Sequence, residues 1–88
     1  MKKVNFEKLE TLNLSFNEIS DINILESVNF KELKELNLFD NKISDIKVLE
    51  KVKFENLKEL HLNDNQIDKK EYSLLIQNLR NKVNFVYI

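Results

Sequence analysis

Aligned on phenylalanine, the chain repeats itself every 24 residues: Phe6, Phe30 and Phe54 open three units, and leucines follow in step at 9, 33 and 57, at 12, 36 and 60, and at 14, 38 and 62. Asn17, Asn41 and Asn65 come next, then Ile19, Ile43 and Ile67. Two units also share Ile22 with Ile46, Leu25 with Leu49 and Val28 with Val52. A fixed period of this length means that one unit cannot bury its apolar face alone and must stack on the next, which is the logic of a solenoid. The units run over residues 6–29, 30–53 and 54–67 onward, and a divergent segment, 68–88, completes a single domain.

Each unit carries its own local code. Leu12-Asn13-Leu14 alternates apolar and polar, which predicts a short strand with both leucines on one side and the asparagine on the other. Successive copies then pair in parallel, roughly 4.8 Å apart. Parallel neighbours need a crossover, and Ile22, Leu25 and Val28, recurring every third residue, predict a 3₁₀ or α turn laid against the strands. Ser20 or Asp21, and likewise Ser44 or Asp45, stand where an N-cap oxygen would hold the first free amides. Phe6, Phe30 and Phe54 are expected to stack as an aromatic column inside the coil. Asn17, Asn41 and Asn65 stand where the chain leaves the strand. An inward amide there can satisfy backbone groups in its own turn and the next, so the three read as a structural ladder and not as a site.

The last block departs from the pattern. Tyr72, Leu75, Ile76 and Leu79 fall at i, i+3, i+4 and i+7, the stripe of an α-helix. Asp68 with Glu71 is expected to form a capping box at its start, and Asn81 to close its end. Val83, Val86 and Ile88 then restate the leucine spacing, so a fourth strand arrives 26 residues after the third instead of 24. Residues 68–88 are therefore read as a C-terminal cap.

The unit reads L-x-x-L-x-L-x-x-N-x-I, as in LKELNLFDNKI from Leu33 to Ile43. In that pattern the chain resembles the leucine-rich repeat family over essentially its whole length. The resemblance implies an α/β fold, a right-handed leucine-rich repeat solenoid with a short parallel sheet on the concave side and 3₁₀ or α turns on the convex side. It implies the same structural role for the asparagine ladder, a protein-protein interaction module that grips its partner on the concave sheet, and no cofactor.

Composition narrows the function classes. The 88 residues include no glycine and no proline, which excludes glycine-rich phosphate loops, the nucleophile elbow and the dinucleotide fingerprint, because each needs backbone that only glycine permits. No cysteine is present, so there is no disulfide framework and no thiolate metal site, as in a reducing compartment. Fourteen basic against 15 acidic side chains leave a net charge of -1, which gives no reason to expect a nucleic acid. No stretch approaches the ~18 apolar residues of a membrane span, and Met1-Lys2-Lys3 leads into no apolar signal core. A cytoplasmic location with no membrane contact is the expectation.

The inward positions being occupied by packing, a site must lie on the outward ones. On the strand side these form columns: Thr11, Glu35, Glu59 and Phe85; Asn13, Asn37, His61 and Tyr87; Ser15, Phe39 and Asn63; Phe16, Asp40 and Asp64. They vary between units while the inward positions hardly change. Glu35, Asp40, Glu59 and Asp64, set among Phe16, Phe39, Phe85 and Tyr87, suit a basic, partly apolar protein or peptide. The expected partner-binding residues are Glu35, Asn37, Phe39, Asp40, Glu59, His61, Asn63, Asp64, Phe85 and Tyr87. The crossover side, with Lys31, Lys47, Lys51, Lys53, Lys69 and Lys70 among Glu26, Glu50 and Glu55, reads as a solvated face.

Catalysis is not expected from this set. His61, the only histidine, is placed in solvent beside Asn37 and Tyr87 with no nucleophile in reach, and His61, Asn63 and Asp64 close no metal site. A different class of reading concerns the first unit. Residues 1–6 mimic the tail of a unit, but no strand or helix in the sequence covers the first coil. That coil belongs to a longer array or to an interface with a partner or a second copy, or the whole is a designed, idealised array, as the high identity between units also allows. The array would in that case be structural or self-associating through its uncapped N-terminal repeat, with no dedicated ligand site.

Overall fold

In a computed structural model of the protein, residues 4–88 are described, with side chains from Phe6 onward. In chain order the elements are β1 (Val4–Asn5), β2 (Thr11–Asn13), a 3₁₀ turn (Asn23–Ser27), β3 (Val28–Asn29), β4 (Glu35–Asn37), a second 3₁₀ turn (Lys47–Glu50), β5 (Glu59–His61), α1 (Ser73–Lys82) and β6 (Phe85–Tyr87).

The alternating leucines become the inward side of one parallel sheet, ordered β2-β4-β5-β6. Leu12, Leu36, Leu60 and Val86 are in register across it, so the two extra residues of the last block are absorbed before β6 and the pairing is undisturbed. Leu33, Leu36, Leu38, Ile43, Ile46, Leu49 and Leu60 are fully enclosed between the sheet and the crossover turns. Each such side chain contributes about 1.5–3 kcal/mol by leaving water. Leu9, Leu12, Leu14 and Ile19 of the first coil pack against this core but are only half-buried, because among the described residues no coil lies outside β2. The radius of gyration, 12.1 Å, is that of an ordinary globular domain of this length, so the stack is not an elongated rod.

The crossovers are 3₁₀ turns, as the three-residue spacing of Ile22 and Leu25 predicts. Asp21 Oδ1 accepts the amide of Asn23 at 2.9 Å and Asp45 Oδ1 that of Lys47 at 3.0 Å. The N-cap positions themselves fall to Ile22 and Ile46, which make no side-chain cap, so the expected N-caps are replaced by Asx turns in which Asp21 and Asp45 reach the backbone two residues on. Val28, which the spacing assigns to the crossover, instead leaves it: its amide closes the turn on Leu25, and Val28–Asn29 then pairs in parallel with Val4–Asn5 as a second, two-stranded sheet. A β-branched residue fits extended backbone better than a further helical turn. The aromatic column is also only partly built. Phe30 and Phe54 are buried and Phe6 stacks on Phe30 at 6.4 Å, yet Phe6 remains 42% exposed.

The asparagines lace the coils together. Asn41 Nδ2 donates to Leu38 O in its own coil and to Leu14 O in the coil before, while its Oδ1 accepts the amide of Ile19 at 3.0 Å. Asn65 repeats the set one coil on, with Leu62 O, Leu38 O and the amide of Ile43. Asn17 reaches only Leu14 O and Ser15 O in its own loop and is exposed.

At the other end the apolar stripe of Tyr72, Leu75, Ile76 and Leu79 is buried beneath α1. Asp68 Oδ1 accepts the amides of Lys70 and Glu71 at 3.0 and 3.2 Å, half of the expected capping box, and it orders a turn ahead of the helix. The helix itself begins only at Ser73. Asn81 does not close it. Asn81 lies inside the last turn, and buried Val83, whose amide bonds Leu79 O at 2.8 Å, goes straight into extended backbone toward β6.

Candidate functional site

The pleat that turns leucines inward turns the residues between them outward, and the parallel register stacks those into columns. Thr11, Glu35, Glu59 and Phe85 are directly adjacent across the four strands, as are Asn13, Asn37, His61 and Tyr87. Two carboxylates on neighbouring strands repel. The structure places His61 between them, with Nε2 3.8 Å from Glu35 Oε2 and 3.6 Å from Glu59 Oε1. The ring does not stand free in solvent, as the sequence suggests. It is half-buried and stacked on Tyr87, centroids 4.6 Å apart and planes 17° from parallel, and Nε2 makes no hydrogen bond within the described chain. Tyr87 in turn lies 6.4 Å from Phe85, with the rings 15° from parallel. A signal for this contact exists in the sequence: Glu35 and Glu59 are one period apart, and His61 is two residues past Glu59 on the same side of the strand, a diagonal neighbour within reach.

The loops that leave the strands carry the remaining predicted residues. Asn37 Oδ1 accepts the amide of Phe39 at 2.9 Å, and Asn13 Oδ1 accepts both the amide and the hydroxyl of Ser15. Asn63, the next in the Ser15 and Phe39 column, has its Oδ1 enclosed without a hydrogen-bond partner among the described residues. Phe39 meets Phe16 edge to face, with centroids 5.3 Å apart and planes at 86°. Asp40 and Asp64 are exposed at the tips of their loops.

The strand face thus has an acidic centre at Glu35 and Glu59, a histidine and tyrosine stack toward β6, and an aromatic pair toward β2. Chemically it offers carboxylate acceptors and flat apolar surface. Among the described residues no group of three or more histidine, cysteine, aspartate or glutamate side chains is arranged to hold a metal ion. Beside the face, Lys34 Nζ lies 3.0 Å from Glu10, whose hydrogen bond and charge raise the lysine's pKa. Both groups are exposed, so the pair adds little to stability.

A hollow lies elsewhere, on the crossover side. A groove of about 650 Å³ runs between the two 3₁₀ turns and the start of α1, lined among others by Glu26, Asp45, Lys51, Tyr72 and Leu74. Tyr72 Oη bonds Asp45 Oδ1 across it at 3.3 Å. Burial raises the phenol's pKa, and the charges of Asp45 and Glu71 add to the effect. Its mixed charges give no single chemistry for a ligand. Among the described residues no helix is long and apolar enough to cross a membrane.

The family model described as Leucine Rich repeats (2 copies) matches residues 7–51 and again residues 31–81. No curated protein and no solved structure matches the chain.

Proposed function

The chain belongs to the leucine-rich repeat family, and from that premise we propose that it is a protein-interaction module whose outward strand face receives a basic, partly apolar protein segment. One observation carries the reading: Glu35 and Glu59, adjacent in register and sharing the single Nε2 of His61, form an acidic centre flanked by exposed aromatic rings on both sides. Aromatic anchors beside two carboxylates that have only one imidazole between them supply buried area and charge complementarity to a cationic partner. In this reading the coil is right-handed, as strand-crossover-strand connections nearly always are, and the sheet lines its inner curve. The face acts by binding and needs no cofactor.

The test is a charge reversal. Glu35→Lys, Glu59→Lys and Asp64→Lys together should abolish binding of a labelled lysine and leucine peptide in fluorescence anisotropy while the circular dichroism spectrum is retained. Equal affinity for the peptide before and after reversal would end the reading.

A second reading has its own observation. The first coil leaves Leu9, Leu12, Leu14 and Ile19 half-buried, and among the described residues β2 is an edge strand. Edges of this kind pair with other chains. Self-association there predicts a concentration-dependent mass in light scattering that Thr11→Glu and Asn13→Glu remove. A mass that stays constant with concentration excludes it.

A further inference from the structure

Three residues in the described chain have left-handed backbone, and they are one position of the repeat: Phe16, Asp40 and Asp64, with φ of 58°, 57° and 57°. The geometry follows from the fold, since each loop must turn sharply away from its strand to bring the next residue, Asn17, Asn41 or Asn65, to its bonds with the strand-end carbonyls. In a chain without glycine the position has to be filled by a residue with a Cβ. Aspartate is among the residues that tolerate this region, whereas a bulky aromatic there is a steric outlier. Units two and three carry the tolerant residue and unit one the strained one.

Burial does not compensate. Phe16 is 71% exposed, more than any other large apolar side chain described, and its ring touches Phe39 only edge-on. A strained backbone position filled by a bulky residue, with most of its side chain in water, points to a role for that side chain beyond packing. The neighbouring chemistry says what. The loop of Phe16 hydrogen-bonds to the next coil through Phe16 N to Phe39 O at 2.9 Å and Asn17 N to Asp40 O at 3.2 Å, so the backbone of Asp40, the exposed residue that follows Phe39, adjoins the loop that carries Phe16. Among the described residues no lysine or arginine pairs with Asp40 or Asp64.

An aromatic pair meeting edge to face leaves one ring face open, and a free carboxylate beside it completes a receptor for a flat cation. Guanidinium is the group that both stacks on an aromatic face and hydrogen-bonds a carboxylate through two parallel N–H groups, which a point-like ammonium cannot do. We propose that Phe16, Phe39 and Asp40 form a pocket for an arginine side chain of the partner segment, fixing which end of that segment lies over the first coil. The proposal rests on the reading that the strand face receives a basic segment, and it adds a residue preference that general acidity does not predict.

The test uses two short labelled peptides, one alternating arginine with leucine and the other lysine with leucine, titrated into the full chain by fluorescence anisotropy. The arginine peptide should bind more tightly. Phe16→Asp, which installs the residue of the two equivalent positions, should weaken the arginine peptide by about fivefold to tenfold and erase its advantage over lysine. The same variant should unfold at an unchanged or higher temperature, because it relieves the backbone. A lowered unfolding temperature would make the ring a structural residue and overturn the proposal. Glu35→Lys with Glu59→Lys should weaken both peptides alike. If that double variant acts and Phe16→Asp changes nothing, the arginine pocket is refuted while the acidic face stands. If neither peptide binds the unaltered chain, the face and the pocket fall together.

Discussion

The first coil and the second are written in nearly the same residues, yet the structure holds them differently. Asn41 is 5% exposed and bonds two coils at once, whereas Asn17, at the same place in the unit, bonds only its own loop and stands in water. Leu36 and Leu38 are enclosed while Leu12 and Leu14 are half-buried. Ile24 and Val48, also equivalent, differ as well: Val48 is buried at the groove it lines with Tyr72 and Leu75, whereas Ile24 is exposed. What a residue contributes here is set by the coil on either side of it and not by its letter, as expected where stability is a sum of nearest-neighbour interfaces.

The comparison can be broken most directly in the core. Leu36→Ala should destabilise the chain by about 3–4 kcal/mol in urea denaturation, within the range for a fully enclosed leucine. Leu12→Ala should lose about half as much, since its site is already partly open to water and leaves less of a cavity. Equal losses would mean that the first coil is as well packed as the second.

The ladder gives the next largest contrast. Asn41→Ala strips Leu14 O, Leu38 O and the amide of Ile19 of a partner, and buried groups left unpaired should lower the unfolding free energy by about 2–3 kcal/mol. Asn17→Ala removes contacts that water replaces, and a loss of less than about 0.5 kcal/mol is expected. Hydrogen exchange at the Ile19 amide should quicken in the first variant and not in the second.

The two ends of the stack sharpen the comparison further. Asp68→Ala frees the amides of Lys70 and Glu71, which should cost about 1 kcal/mol and raise exchange across α1 while β2 stays unchanged. A change in exchange at β2 would mean that the ends are coupled through the stack.

The smallest effect is one of pH. Burial and the nearby carboxylates raise the pKa of Tyr72 in the folded state, so the protein holds the phenol proton more tightly than the unfolded chain does. Stability from that source is fully present at neutral pH and is lost as pH rises above the ordinary phenol value of about 10. Tyr72→Phe should therefore flatten the fall of unfolding temperature at alkaline pH relative to the unaltered chain. Parallel curves for the two proteins would show that the phenol does not contribute.

How much of this is legible in the letters depends on the kind of fact. Glu35 and Glu59 can be placed side by side from their spacing alone, because one period of the repeat is one step across a parallel sheet. The burial of Leu36 is legible from the same repeat, and that of the Tyr72 stripe from its helical spacing. The tilt of His61 between the carboxylates is not, because it depends on Tyr87 arriving across β6 to cover the ring. The choice of Asp21 over Ser20 depends on where the turn starts, since Asp21 stands two residues before Asn23, the spacing of an Asx turn. The late start of α1 escapes the capping pattern because the Asp68 bonds fit a turn as well as a helix. The left-handed position is visible at Asp40 and Asp64 as a tolerated residue type, and invisible at Phe16, where residue type argues against it.

By itself, the sequence determined the period, the inward face and the order in which strands meet, since a repeat that must bury the same leucines in every unit leaves no other register. The tertiary structure alone decided that the coils are unequal: which asparagine is laced to a neighbour, which aromatic ring is left in water, and where a lone imidazole comes to rest. Those outcomes depend on atoms a full period away in the chain and one strand away in space, and no local pattern of residues carries that distance.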